Sequence, residues 1–272
     1  MLKDMTLGQY FPGNSILHKI DPRMKLILAV LYIVMIFLAK TPLAYVFVLA
    51  SAAGLIFLSR LHMRVILRGL RPILFIILLT ACINIFWTRG ETPLVDWKFI
   101  HIYPEGIQFA IFMMVRIVSL VIGTAVILTY TTSPIALTDG LEHLLMPLSK
   151  LHLPVHEFSM MMTIALRFIP TLVEETDKIM SAQKSRGTDF SSGSLLRRAK
   201  ALIPVMVPLF ISAINRATEL AVAMECRCYR GGTGRTKMNR LQYRPRDFFA
   251  LLCVCCMCAV VLLLNRYTPM IV

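Results

Sequence analysis

Charged side chains are in short supply. Asp, Glu, Lys and Arg make up 16% of the 272 residues and hydrophobic types 57%, with a mean hydropathy of +0.70. A soluble domain carries about 25% charged residues, so an ordinary soluble fold is excluded and the chain reads as an integral membrane protein. Acidic residues are the scarcer kind, 15 against 29 Lys and Arg, for a net charge of +14. That excess does not imply nucleic acid, because the basic residues are not interleaved with aromatics on a soluble face.

Patterns of catalysis and metal binding are also missing. Cys253, Cys255, Cys256 and Cys258 lie inside an apolar run without nearby His or acid, where cysteine packs as a small hydrophobe. His152 and His156 have helical spacing, but Pro154 sits between them and no acid is placed as in a zinc-protease helix, so they read as a helix start. "GGTGRT" at 231–236 lacks the Lys-Ser/Thr of a phosphate-binding loop and reads as a flexible turn. Asp139 and Glu142 are three residues apart, which an amphipathic helix face explains without acid-base chemistry. No catalytic residue, bound cofactor or metal is expected in this chain. The first 20 residues contain no short apolar core followed by a small-residue cleavage site, so no removable signal peptide is expected and the N-terminus should persist.

What is present is a set of long apolar runs, at residues 26–39, 43–58, 73–87, 107–129 and 248–264, each read as one membrane span. The first two are short, at about 20 Å each, and need snorkelling from Lys25 and Lys40 or local thinning of the bilayer. Lys40-Thr41-Pro42 marks a tight turn between them, hence a hairpin. Two further stretches, 158–173 and 201–214, are nearly apolar. Making both of them spans would put Lys178, Lys184, Arg186, Arg197, Arg198 and Lys200 outside, against the bias of basic residues toward the cytoplasm. With both kept on the cytoplasmic side, the N-terminus is inside, the C-terminus outside, and 24 of the 29 Lys and Arg are cytoplasmic.

The expected organisation is therefore a cytoplasmic N-terminal segment over 1–25, four membrane helices over 26–130, a cytosolic helical region over 131–246 and a final span over 247–272. The fold class is all-α, with about five transmembrane helices and three cytosolic helices between spans four and five. Ser133-Pro134 opens the first of those three and Leu153-Pro154 the second, which runs past Pro170 to Gly187. The third starts after "DFSSGS", bends at Pro204 and Pro208, and runs to about Tyr229. The second and third share one plan: an apolar, proline-bearing first half, a charged second half, and a final Arg between small residues. Such helices start in an apolar environment and end in water, the shape of a lever arm.

Two features stay open at this level. Arg116, in mid-span, either lines a transport path, as in a self-contained secondary transporter, or lies near a span end where it snorkels or binds an acidic neighbour. Met160, Met161, Met162 and Met206 are either core or an adaptable face that accepts several membrane partners.

"GQYFPGNSILHKIDPRMKL" at 8–26, "ALRFIPTL" at 165–172, "AQKSRG" at 182–187 and "AMECRCYRGG" at 223–232 together resemble the transmembrane T component of energy-coupling factor transporters, in its general-purpose shared form. The resemblance implies a bacterial plasma-membrane uptake complex for vitamins of the cobalamin, riboflavin or folate kind. It pairs the T component with two ABC-type ATPases, which bind Mg-ATP, and with an exchangeable substrate-binding S component. It further implies that Ser185-Arg186-Gly187 and Cys226-Arg227-Cys228 are the ATPase-docking tips. Ser185 and Cys226 depart from the family's usual Ala, and both are small. Arg suits such an anchor, being permanently charged with a planar fork of donors.

Overall fold

The computed structural model describes residues 10–88, 95–97, 100–151, 154–190, 194–231 and 241–267. His152, Leu153, most of the "DFSSGS" loop and "GGTGRT" beyond Gly231 lie outside the described residues. In chain order the helices are α1 (Pro22–Leu38), α2 (Pro42–Ser59), α3 (Met63–Trp87), α4 (Pro104–Thr124), α5 (Pro134–Leu145), α6 (Val155–Ser185), α7 (Leu195–Cys226) and α8 (Pro245–Tyr267). A π-helical stretch, Ala125–Tyr130, continues α4, and short 3-10 turns cover Leu17–Lys19 and Met146–Leu151. Among the described residues the one β element is a two-stranded antiparallel ribbon, β1 (Val95–Trp97) with β2 (Ile100–Ile102), which the sequence reading did not anticipate.

Proline sets the helix starts. It occupies the first turn of α1, α2 and α4, where its missing N–H costs nothing. Asp21 and Thr41 cap α1 and α2 through side-chain oxygens that accept from Arg23 N (2.9 Å) and Ala44 N (3.4 Å). At α8 a single buried carboxylate serves two helices: Asp247 accepts from Arg244 N at 2.7 Å, closing its own helix start, and from Asp21 N at 3.0 Å, at the start of α1.

Contacts divide the chain into two compact units. The first comprises described residues 10–141 and 241–267. Its core is Ala29, Tyr32, Met35, Ile36, Ala39, Ala44, Tyr45, Val48, Ile127 and Val261, contributed by α1, α2, the π-helical stretch and α8. Gly123 on α4 lets the Tyr32 ring in, since a Cβ there would collide with it. The hairpin expected from Lys40-Thr41-Pro42 is present, and α8 clamps its tip: Asn265 Oδ1 accepts from Lys40 N at 3.1 Å while its Nδ2 donates to Leu38 O at 2.6 Å.

The second unit comprises described residues 142–231. Here α6 and α7 run 31 and 32 residues, with Pro170, Pro204 and Pro208 inside them, in close agreement with the lengths read from sequence.

The chain is an all-α, multi-pass membrane protein. Five helices are long and apolar enough to cross a membrane by length and composition: α2, α3, α4 through to Tyr130, α7 and α8. This set differs from the spans read from sequence in losing α1 and gaining α7. At 17 residues, α1 is short, whereas α7 qualifies on length and composition despite its charged second half. α3 also begins ten residues before the apolar run at 73: Arg64, Arg68 and Arg71, which precede that run in the sequence, lie on the helix, and Pro72 is inside it.

Candidate functional site

The two triplets end their helices in the same way. On α6, Arg186 is the C-cap, Gly187 N donates to Lys184 O at 2.9 Å and Thr188 N donates to Gln183 O at 3.0 Å. On α7, Arg227 is the C-cap, Cys228 N donates to Glu225 O at 2.8 Å and Tyr229 N donates to Met224 O at 3.0 Å. Both are Schellman motifs, in which the residue after the cap adopts the left-handed conformation. Gly187 has φ +88° and Cys228 φ +54°. The third residue of each triplet is thus the pivot of the cap, a role that favours Gly and costs a residue with a Cβ about 1 kcal/mol. Sequence reasoning took Cys228 only as small; its backbone has the more specific task.

Ser185, Arg186, Gly187, Cys226, Arg227 and Cys228 are all exposed. Among the described residues neither guanidinium has an ion-pair or side-chain hydrogen-bond partner. Nothing lies within 4 Å of a Cβ added to Gly187, so no packing within the chain requires smallness there.

Behind the tips, α6 and α7 are joined through Glu175. Its carboxylate accepts from Ser212 Oγ at 2.5 Å and pairs with Arg216 at 3.1 Å. The Ser212 hydrogen bond, with Arg216 and Lys178 nearby, holds the Glu175 carboxyl below the usual carboxylate range. Glu175 stands 11 residues before Arg186, and Arg216 stands 11 before Arg227, so each cap lies about 16 Å beyond this junction. The pairing was not foreseen from sequence. Its signal was available: opposite charges at equal distances from equivalent caps. A second polar knot fixes the start of α6, where Glu142 accepts from Ser159 Oγ at 2.7 Å and pairs with His156 at 3.1 Å.

The apolar halves of α6 and α7 are uncovered. Met161, Met162 and Met206 are 57%, 42% and 64% exposed, and Phe158, Met206 and Phe210 extend the same apolar character. Met160 is half-buried. Of the four methionines, three are therefore exposed and not core.

Comparison with known proteins places this architecture. The CbiQ family model, described as cobalt transport protein, matches residues 13–238. An energy-coupling factor transporter transmembrane protein, EcfT, of Clostridium kluyveri is 54% identical over 254 residues, covering 93% of this chain and 94% of the relative. Its namesakes in Ruminiclostridium cellulolyticum and Bacillus subtilis are 53% and 47% identical, each over 247 residues, covering 91% of this chain and 92% and 93% of theirs. The chain belongs to the energy-coupling factor T-component family.

In this T component Arg116 is engaged within the membrane unit. Its guanidinium donates to Ala39 O at 3.3 Å and to the Tyr45 hydroxyl, and lies 5.9 Å and 5.5 Å from the Phe37 and Tyr45 ring centroids. The carbonyl it meets belongs to the C-cap of α1, one of the acceptors that a helix end leaves open. These partners are a backbone carbonyl and a phenol, not the acidic neighbour that the sequence reading offered, and they tie α4 to the tip of the hairpin.

Proposed function

We propose that this T component is the coupling subunit of an ATP-driven vitamin uptake transporter, with Arg186 and Arg227 each seated in a groove of one of two ABC-type ATPases. The α5–α7 region, within residues 131–246, lies on the cytosolic side. The N-terminus faces the cytosol and the C-terminus the outside. The exposed methionine and phenylalanine face over Met160, Met161, Met162 and Met206 receives an exchangeable S component, whose own site holds the cargo. Mg-ATP is bound by the ATPases, and this chain holds no cofactor.

The observation that carries the reading is the matched pair of exposed, Schellman-capped arginines, each the same distance beyond one Glu175 junction. Two like anchors on linked arms suit two partners that close on ATP binding. Relative movement of the tips then tilts the apolar halves and whatever sits on them. A paired position of the tips in the apo and ATP-bound states is the bistable element that such coupling requires. Loss of a buried interface arginine commonly costs about 2 kcal/mol or more, over tenfold in affinity.

The test is capture of the full complex from native membranes in mild detergent, comparing wild type with the Arg186→Glu, Arg227→Glu double variant by mass spectrometry. The expected result is that wild type brings down ATPases and small membrane proteins, and that the variant loses the ATPases alone. Absence of any ATPase with wild type, with and without ATP, overturns the reading.

A further inference from the structure

We infer that the outer face of α3 is a docking strip for an anionic phospholipid with a two-phosphate, cardiolipin-type headgroup. Arg64, Arg68 and Arg71 follow one another in steps of four and three, which places them on one side of a helix. All three are exposed, as is Arg60 at the turn leading into the helix. The same step continues along the same side to Phe75, Leu78, Leu79 and Phe86, which are 72%, 58%, 48% and 53% exposed. The opposite side, with Ile66, Ile77 and Ala81, is buried.

One face therefore changes from guanidinium to bulky hydrocarbon within a single turn, between Arg71 and Phe75. That sequence matches a phospholipid lying alongside: phosphate oxygens against the arginines, acyl chains against Phe75, Leu78, Leu79 and Phe86. Arg is suited to the phosphates because its planar fork donates two parallel hydrogen bonds. From Arg64 to Arg71 the ladder is about 10 Å long, enough for two phosphates and longer than one needs.

Among the described residues of α1, α2 and α3 that charge is uncompensated. No Asp or Glu occurs between Asp21 and Glu91, so these helices bring no carboxylate to this surface. An anionic headgroup supplies the countercharge that these helices do not. Attraction of basic residues to an anionic membrane surface strengthens binding by about fivefold each and is weakened by salt.

The experiment is native mass spectrometry of the full chain in mild detergent, with cardiolipin and, separately, phosphatidylcholine added as probes. The Arg64→Gln, Arg68→Gln, Arg71→Gln triple variant is compared with Arg197→Gln, Arg198→Gln, Lys200→Gln, which removes equal charge from the exposed start of α7. Wild type is expected to retain cardiolipin over phosphatidylcholine by about tenfold or more. The α3 triple should abolish that preference, and the α7 triple should keep it. Equal loss in both triples, or no loss in either, overturns the inference. So does retention of an acidic protein in place of lipid that the α3 triple releases. Should the α3 triple not fold, as judged by helix content, the single variants Arg64→Gln and Arg68→Gln each lower retention by about threefold or more, and failure of both to do so overturns it equally.

Discussion

The tips of α6 and α7 make the same two capping hydrogen bonds and present the same arginine, yet one turns on Gly187 and the other on Cys228. The difference separates two demands that a small-Arg-small triplet conflates. The backbone demands a left-handed residue after the cap, which Gly meets freely and Cys meets at a cost. The surface demands only that nothing bulky flank the arginine, which both meet. Cys228 thus keeps the flank of Arg227 small at the expense of its own helix end, whereas Gly187 meets both demands.

Charge reversal breaks the comparison most severely. Arg186→Glu and Arg227→Glu, made singly, should each weaken capture of an ATPase by tenfold or more, about 2 kcal/mol, as measured by quantitative mass spectrometry of the captured complex. If the two tips serve different ATPase chains, each single variant loses a different one.

Backbone changes sharpen it. Gly187→Val places a β-branched residue in the left-handed region and should destabilise the α6 cap by about 1–2 kcal/mol, read as faster hydrogen exchange at the Thr188 amide. Cys228→Gly should act oppositely on α7, by up to about 1 kcal/mol, with the Tyr229 amide exchanging more slowly. An unchanged Tyr229 amide in Cys228→Gly would mean that the two caps are equivalent after all.

The smallest effect concerns the junction behind both tips. Because the Glu175 carboxyl titrates below its ordinary value, its stabilising contribution is present in full above the unfolded carboxylate pKa and is lost as pH falls through the folded one. Fluorophores placed on the two tips should report a constant distance at neutral and mildly acidic pH and a broader distribution only once the pH has fallen below the ordinary carboxylate range. Glu175→Gln should show the broader distribution at neutral pH, and its pH response should be flat.

Much of this was legible in the sequence because the punctuation is strong. Pro22, Pro42, Pro104, Pro134 and Pro245 each sit at a helix start, and the apolar runs between them are long. The ends of α6 and α7 were marked by their triplets to within three residues. Legibility failed where one residue type carries two meanings. Arg64, Arg68 and Arg71 lie between the apolar runs 43–58 and 73–87 and so fell outside the span, although Arg is a good helix former and their spacing is helical. The β1–β2 ribbon is too short for alternation to register. The Glu175 junction was invisible because a contact between two helices depends on how they cross, which periodicity along either one does not encode. Arg116 was ambiguous for the same reason: its partner, the Ala39 carbonyl, is a backbone group with no sequence signature.

The clamp of α8 on the first hairpin has a consequence for how the protein is made. Asp247 and Asn265 reach back to Asp21, Lys40 and Leu38, each across 225 or more residues. Between Lys40 and Asp247 the ribosome must produce 206 residues, which takes about 10–40 s at ordinary elongation rates. During that interval α1 and α2 lack their fastening, while α6 and α7 are completed before α8 emerges. The chain thus exists for a time with both long arms made and its first unit still open, and the last helix made is the one that locks the first.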